Sequence, residues 1–311
     1  MQPNAGTAHA PVPQTSFERN AHALLEELRQ RNARRVLLQA PEGLRTSVIA
    51  LASLLGQSGI STVISCDATY GACDLADKEA QAMQCDLLVH IGHSKFYRDF
   101  GTAVPVLYFP WNMRASLDGA DFSSIHEEHI GIVTTVQHTD LLSEVRDLLV
   151  KAGKKPFFAG NILGCYTLPA QKIESNVDAF LFVGSGKFHP LGMRGKPVYT
   201  FDLETKAVEK LDTALFEKRR FAAIYKAKDA KTFGIIVSTK EGQRELLGAA
   251  ERVRQQLEEK DKKAYVLIMD EVTSAKLEGL KVDAFVNTAC PRIMDDHFAK
   301  PLINAEDIEY L

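Results

Sequence analysis

The sequence has no C-x2-C pair, no G-x-x-x-x-G-K-[ST] loop and no apolar run near the roughly 20 residues that a membrane span needs. It also has no surplus of one charge, with 37 basic against 40 acidic side chains and a formal net charge of −3. Each absence excludes something. Unpaired cysteines argue against a closed structural zinc site, and the missing phosphate loop argues against a nucleoside triphosphate. The balanced charge shows no preference for nucleic acid or an anionic membrane. Five cysteines, an odd number spread widely, imply no disulfide framework and point to reduced thiols in a cytoplasm. The opening MQPNAGTAHAPVPQTS lacks a basic start followed by an apolar core, so no signal peptide is expected, and residues 1–16 read as a flexible tail.

What is present is a repeat. Cys85 to Tyr97 (CDLLVHIGHSKFY), Val177 to His189 (VDAFLFVGSGKFH) and Val282 to Met294 (VDAFVNTACPRIM) align with one another. In each an Asp opens an apolar run, small residues follow, and a cation comes next: Lys95, Lys187 or Arg292. Upstream, Val36 to Gly59, Gly131 to Gly153 and Gly234 to Lys260 each read as a short strand, a polar turn and an amphipathic helix. A further strand follows each of these, at Thr62 to Ser65, Pro156 to Ala159 and Ala264 to Met269. A fourth is expected at Val104 to Trp111, at Lys196 to Asp202 and in the C-terminal PLINAEDIEYL. Strands alternating with helices in near-continuous apolar runs indicate parallel sheets covered by helices. The expectation is an α/β chain of three homologous domains in a pseudo-threefold triangular arrangement, over residues 17–115, 116–219 and 220–311. The charged stretch Glu204 to Lys231 reads as a helical connector into the third.

In parallel α/β sheets ligands bind beyond the carboxyl ends of the strands. Cys73, in DATYGACDLAD, falls in such a loop of the first unit, and Cys165, in AGNILGCYTLP, falls in the matching loop of the second. The third unit has no cysteine there and carries Cys290 after its third strand instead. Three thiolates converging from three units would form a metal site. With no histidine beside them, they fit a [4Fe-4S] cluster with one open iron better than structural zinc. The alternative is that each is a small buried hydrophobe at a strand end. That second reading is preferred for Cys66 and Cys85, which lie within the apolar pattern.

The segments LQAPEGL (Leu38 to Leu44), DATYGACD (Asp67 to Asp74), LLVHIGHS (Leu87 to Ser94), NILGC (Asn161 to Cys165) and VNTACPRI (Val286 to Ile293) resemble the archaeal diphthamide synthesis enzymes. The resemblance covers nearly everything after the first 30 residues. It implies a homodimer of three-domain chains that holds a [4Fe-4S] cluster through Cys73, Cys165 and Cys290, with an external electron donor. It also implies the reaction: the reduced cluster donates an electron to S-adenosylmethionine, cleaving the bond from sulfur to the methionine γ-carbon. Methylthioadenosine leaves, and the 3-amino-3-carboxypropyl fragment adds to imidazole C2 of one histidine in elongation factor 2. The C-x3-C-x2-C triplet of ordinary radical S-adenosylmethionine enzymes is absent, in keeping with this different cleavage.

Other residues are candidates for the same site. Arg292, Lys95 and Lys187 offer a cation at the edge of each unit for a cofactor carboxylate, or else are solvated or interdomain charges. Pro291 stops the strand from continuing after Cys290. Glu42 and Gly43, in the QAPEG loop, suit an anion at a helix start or simply cap it. His93 sits past the third strand and is a candidate for the cofactor contact or for removal of the imidazole proton, whereas His90 reads as a core residue. Two other functions are weighed. One is an enzyme like quinolinate synthase, with three cysteines around a Lewis-acid cluster; the other is a non-catalytic subunit that relays electrons. PEGL and TYGACD favour the diphthamide reading.

Overall fold

The computed structural model describes residues 15–97, 101–193, 195–240, 242 and 246–311, with the side chains of residues 246, 247, 292 and 295 outside that description. Helix α1 (Ser16–Gln30) opens with a capping box, in which Thr15 accepts from the Glu18 N–H and the Glu18 carboxylate accepts from the Thr15 N–H. Thr15 and Ser16 therefore belong to a capped helix and not to the tail expected over residues 1–16. Residues 1–14 lie outside the described residues.

The first sheet follows, from β1 (Arg35–Gln39), α2 (Arg45–Gln57), β2 (Ser61–Ile64), α3 (Asp77–Ala82), β3 (Leu87–Ile91) and β4 (Val106–Phe109). The second comprises β5 (His129–Thr134), α4 (Leu142–Lys151), β6 (Lys155–Asn161), α5 (Leu168–Gln171), β7 (Ala179–Val183), α6 (Phe188–Leu191), β8 (Val198–Phe201) and β9 (Val208–Lys210). The third is preceded by α7 (Ala214–Ala227) and contains β10 (Thr232–Ser238), α8 (Leu246–Glu258), β11 (Lys263–Met269), α9 (Ser274–Leu277), β12 (Ala284–Asn287) and β13 (Leu302–Asn304). Strand orders are β2-β1-β3-β4, β6-β5-β7-β8-β9 and β11-β10-β12-β13. Among the described residues every named strand pair is parallel except β8 with β9. The chain is thus α/β, with mostly parallel sheets flanked by helices. The stretch expected as a helical connector, Glu204 to Lys231, holds both β9 and α7. The boundary expected at 219 falls inside α7, whose Ile224 and Ala227 pack into the third core.

The repeat has a physical basis in each sheet. The covering helices bury the same stripe at i, i+3 and i+7: Val48, Leu51 and Leu55 in α2, Leu142, Val145 and Leu149 in α4, and Ala250, Val253 and Leu257 in α8. Each fully buried Leu or Val in such a stripe contributes about 1.5–3 kcal/mol. The repeated Asp also has one task. Asp86 accepts the Arg34 N–H at 2.8 Å, Asp178 the His129 N–H at 3.0 Å, and Asp283 the Thr232 N–H at 2.8 Å, so the central strand and its neighbour are tied at their start in all three sheets.

Volume is balanced at a repeated pair of facing positions. Leu37 lies beside Leu88, Gly131 beside Phe180 and Gly234 beside Phe285. A Cβ on Gly131 would lie 2.6 Å from the Phe180 ring, so the large ring occupies the space that the missing side chain leaves. Gly131→Leu is expected to destabilise the chain by about 1–3 kcal/mol or more through overpacking. Adding Phe180→Leu, which recreates the pair of the first sheet, should recover most of that loss in urea unfolding. Additive losses would contradict this volume compensation.

Candidate metal centre

Each candidate cysteine stands on a loop held by a polar side chain or tight turn at the carboxyl end of a strand. Cys73 follows β2, in a turn closed by the Asp74 N–H donating to the Gly71 carbonyl at 3.0 Å. It is 9% exposed and packs with Ala72 and Phe96. Gln39, at the end of β1, clamps this loop: Nε2 donates to the Asp74 carbonyl at 2.8 Å, and Oε1 accepts the Ala76 N–H at 3.2 Å. Cys165 follows β6 in a tight turn where Leu163 and Tyr166 exchange two backbone hydrogen bonds of 2.9 and 3.0 Å, and it is exposed. Gly164 before it leaves room for Phe188, whose ring would stand 2.5 Å from a Cβ there.

Cys290 follows β12 and caps a 3-10 turn over Pro291–Asp295, with Pro at a first position that needs no N–H partner. The reason for the sequence NTACPRI is local. Asn287 Nδ2 donates to the Cys290 carbonyl at 3.1 Å while its Oδ1 accepts the Ala289 N–H at 2.9 Å, and Thr288 Oγ1 donates to the Ile236 carbonyl at 2.8 Å. A short amide side chain and a hydroxyl thus turn the chain out of the sheet.

Contacts between the sheets draw these loops together. Tyr97 stacks on Tyr166, the neighbour of Cys165, with centroids 4.3 Å apart and planes 9° apart. Gly242 of the third unit donates its N–H to the Cys73 carbonyl at 3.2 Å, and a Cβ on it would lie 2.5 Å from the Cys73 Cα. Lys240 meets Asp74 at 2.6 Å, and Tyr70 donates to Glu271 at 2.9 Å. A cavity of about 380 Å³ between the second and third units is lined by Gly164, Cys165, Ala289 and Pro291, which include both neighbours of Cys290. Every candidate cysteine therefore stands at a junction with another unit. Among the described residues, no three His, Cys, Asp or Glu side chains are grouped to hold a single metal ion. The ligands of an iron-sulfur cube bind different irons and stand further apart than those of one ion, so three soft thiols suit the cube better than a single ion.

The remaining candidates separate by position. Lys95 lines a cavity of about 100 Å³ between the first and second units, together with His93, Tyr97, Gln137, Tyr166 and His189. Lys187 is exposed, 3.9 Å from Glu209, and lines neither this cavity nor the one beside Cys165. Glu42 and Gly43 form an exposed 3-10 turn ahead of α2 and line neither of those cavities. The Arg292 side chain lies outside the described residues. Cys85 is buried, and burial pushes its thiol up. Cys66 is exposed, contrary to its expected place in the apolar pattern, because β2 ends at Ile64.

Buried charge and buried imidazoles surround the loops. The Asp74 and Lys240 side chains are each 11% exposed, and burial raises the Asp74 carboxyl against the opposing pull of Lys240. His90 is fully buried as expected, with Nδ1 2.8 Å from Gln39 Oε1 and Nε2 3.0 Å from His93 Nδ1. Burial lowers His90 well below the ordinary histidine value and takes His93 and His189 to about 4. Gln39, Gly164, Lys240, Gly242 and Asn287 were not singled out by the sequence, since each acts through a partner far along the chain or through a turn whose shape no motif records.

A family model described as putative diphthamide synthesis protein matches residues 40–311. The chain is 37% identical to 2-(3-amino-3-carboxypropyl)histidine synthase of Pyrococcus horikoshii, over 93% of this chain and 88% of the relative. It is 30% identical to subunit 1 of the enzyme of that name in Schizosaccharomyces pombe, over 94% of this chain and 72% of the relative. The crystal structure of Dph2 from Pyrococcus horikoshii with a 4Fe-4S cluster superposes with a TM-score of 0.82 at 36% identity, covering 93% of this chain and 89% of that one.

Two outcomes are expected from this geometry. The unfolded chain protonates His90, His93 and His189 below pH about 6.5 while the folded chain resists, so their contribution is full above that pH and falls below it, that of His93 and His189 being lost towards about 4. Thermal unfolding scanned from pH 7 downward should therefore show Tm falling through this window, less steeply in His90→Gln; identical slopes would contradict it. Gly242→Ala is expected to push the Cys73 loop aside, cost about 1–3 kcal/mol and lower the iron and sulfide bound after anaerobic reconstitution.

Proposed function

The chain belongs to the diphthamide synthesis family, and from that premise we propose that it transfers the 3-amino-3-carboxypropyl group of S-adenosylmethionine to imidazole C2 of a histidine in translation elongation factor 2. The observation that supports this reading is that three cysteine loops, one from each sheet, each lie at a contact with another unit. The three sheets are taken as three domains around a shared [4Fe-4S] cluster held by Cys73, Cys165 and Cys290. That group, when bound and reduced, supplies the electron that cleaves the bond from sulfur to the γ-carbon and releases methylthioadenosine.

The side chains divide the remaining work. Phe96 and Ala72 cover Cys73 and keep water from one side. Cys165 is the exposed ligand, beside the cavity of about 380 Å³. Gln39 and Asn287 hold the Cys73 and Cys290 loops through backbone hydrogen bonds, so the thiols are placed before any cluster binds. Lys95 is assigned to the carboxylate of the cofactor's methionine moiety, ahead of Lys187, which lines neither cavity. No described helix is long and apolar enough to cross a membrane. A homodimer acting in the cytoplasm with an external electron donor and no nucleic acid completes the proposal.

Anaerobic purification with iron and sulfide quantitation tests the ligand set. Cys73→Ala, Cys165→Ala and Cys290→Ala are each expected to lose most of the cluster, and Cys66→Ala and Cys85→Ala to keep it. Incubating the reduced chain alone with S-adenosylmethionine should yield methylthioadenosine. A cluster without that product would favour an electron-relay subunit or a Lewis-acid enzyme, and full cluster retention in the three variants would refute the site.

A further inference from the structure

We propose that His93 accepts the proton displaced from imidazole C2 of the target histidine, and that Gln39, acting through His90, determines which His93 nitrogen carries the accepting lone pair. The inference rests on the transfer proposed above and is drawn from a chain of hydrogen bonds with one consistent direction. Gln39 Nε2 donates to the Asp74 carbonyl at 2.8 Å and Oε1 accepts the Ala76 N–H at 3.2 Å, so two backbone groups fix the orientation of the amide. An amide oxygen only accepts. His90 Nδ1, 2.8 Å from it, must therefore be the donor.

His90 is fully buried and neutral, so a hydrogen on Nδ1 leaves its lone pair on Nε2. His93 Nδ1 lies 3.0 Å from that lone pair and must donate to it. His93, also neutral, is thereby left with its own lone pair on Nε2. Its Nδ1 edge faces inward to His90, and the opposite edge is the one left for the cavity of about 100 Å³ where His93 meets Lys95, Tyr97 and Tyr166. Tyr166, which follows Cys165 in the chain, lines the same cavity as His93.

The net reaction needs such an acceptor. The bond from sulfur to the γ-carbon breaks with the electron pair remaining on sulfur, which becomes the neutral thioether of methylthioadenosine. A carbon–carbon bond forms at C2, and the C2 hydrogen leaves as a proton. The adduct gives up, as its C2 proton leaves, the one electron that was supplied for the cleavage, so no net oxidant or reductant is consumed and one proton is released per transfer. A histidine whose conjugate acid has a pKa of about 4 takes this proton from the strongly acidic C2–H of the adduct and does not retain it at neutral pH.

The test compares modified histidine with methylthioadenosine in one reaction of the reduced holoenzyme, S-adenosylmethionine and elongation factor 2. His93→Asn keeps an amide N–H able to donate to His90 Nε2 but removes the ring lone pair, and is expected to lower the ratio of modified histidine to methylthioadenosine by about 100-fold. Because the ratio is internal to each sample, partial loss of iron does not disguise it. In His93→Ala, added imidazole should raise the ratio again. Gln39→Glu, which keeps an oxygen opposite His90 Nδ1, should exceed Gln39→Met severalfold. An unchanged ratio in His93→Asn or no rescue by imidazole overturns the role of His93, and equal ratios in the Gln39 variants overturn the relay. Absence of methylthioadenosine from the unsubstituted chain would instead overturn the transfer reading itself, and this inference with it.

Discussion

The close approach of Gly242 to Cys73 is the constraint on which the rest of the centre depends. A loop from the third sheet lies on the backbone of a loop from the first, with its N–H on the Cys73 carbonyl and no room for a Cβ between them. Lys240 and Asp74 close the same junction with charges that are largely removed from water. Such a pair is a weak source of stability, because desolvation offsets much of the attraction, but it penalises any arrangement that leaves either charge unpaired. The junction therefore fixes where the first thiol stands relative to the third unit.

The three sheets solve one packing problem three times. An Asp ties the start of the central strand, a helix buries an i, i+3, i+7 stripe on it, and the strand ends deliver loops to one edge. What differs is how each loop is finished: an amide clamp from Gln39 for Cys73, a tight turn for Cys165, and Asn287 with Thr288 for Cys290. The third unit departs from the others by carrying its cysteine after β12, yet it reaches the same edge, because all parallel strands of a sheet end on one side.

Gln39 links the two halves of the proposed chemistry. Its amide holds the Cys73 loop on one side and orders the His90–His93 pair on the other. A single buried side chain that satisfies three partners is costly to replace, since each partner would be left without its hydrogen bond in a low dielectric. The electron-donating and proton-accepting ends of the proposed site are thus linked by one residue at the end of β1.

The sequence by itself determined the α/β class, the threefold repeat, nearly every strand, the buried His90 and the family resemblance. It could do so because apolar periodicity and turn residues are local signals that survive in each copy. The expected line at residue 219 falls inside α7, since the sparse apolar residues of that helix do not say which core they enter. Only the tertiary structure decided that Gly164 and Gly242 are places of close approach, that Lys95 lines a cavity that Lys187 does not, and that Cys66 is exposed. Those properties belong to pairs of groups brought together by packing, and a residue's chemistry carries no record of the partner that packing supplies.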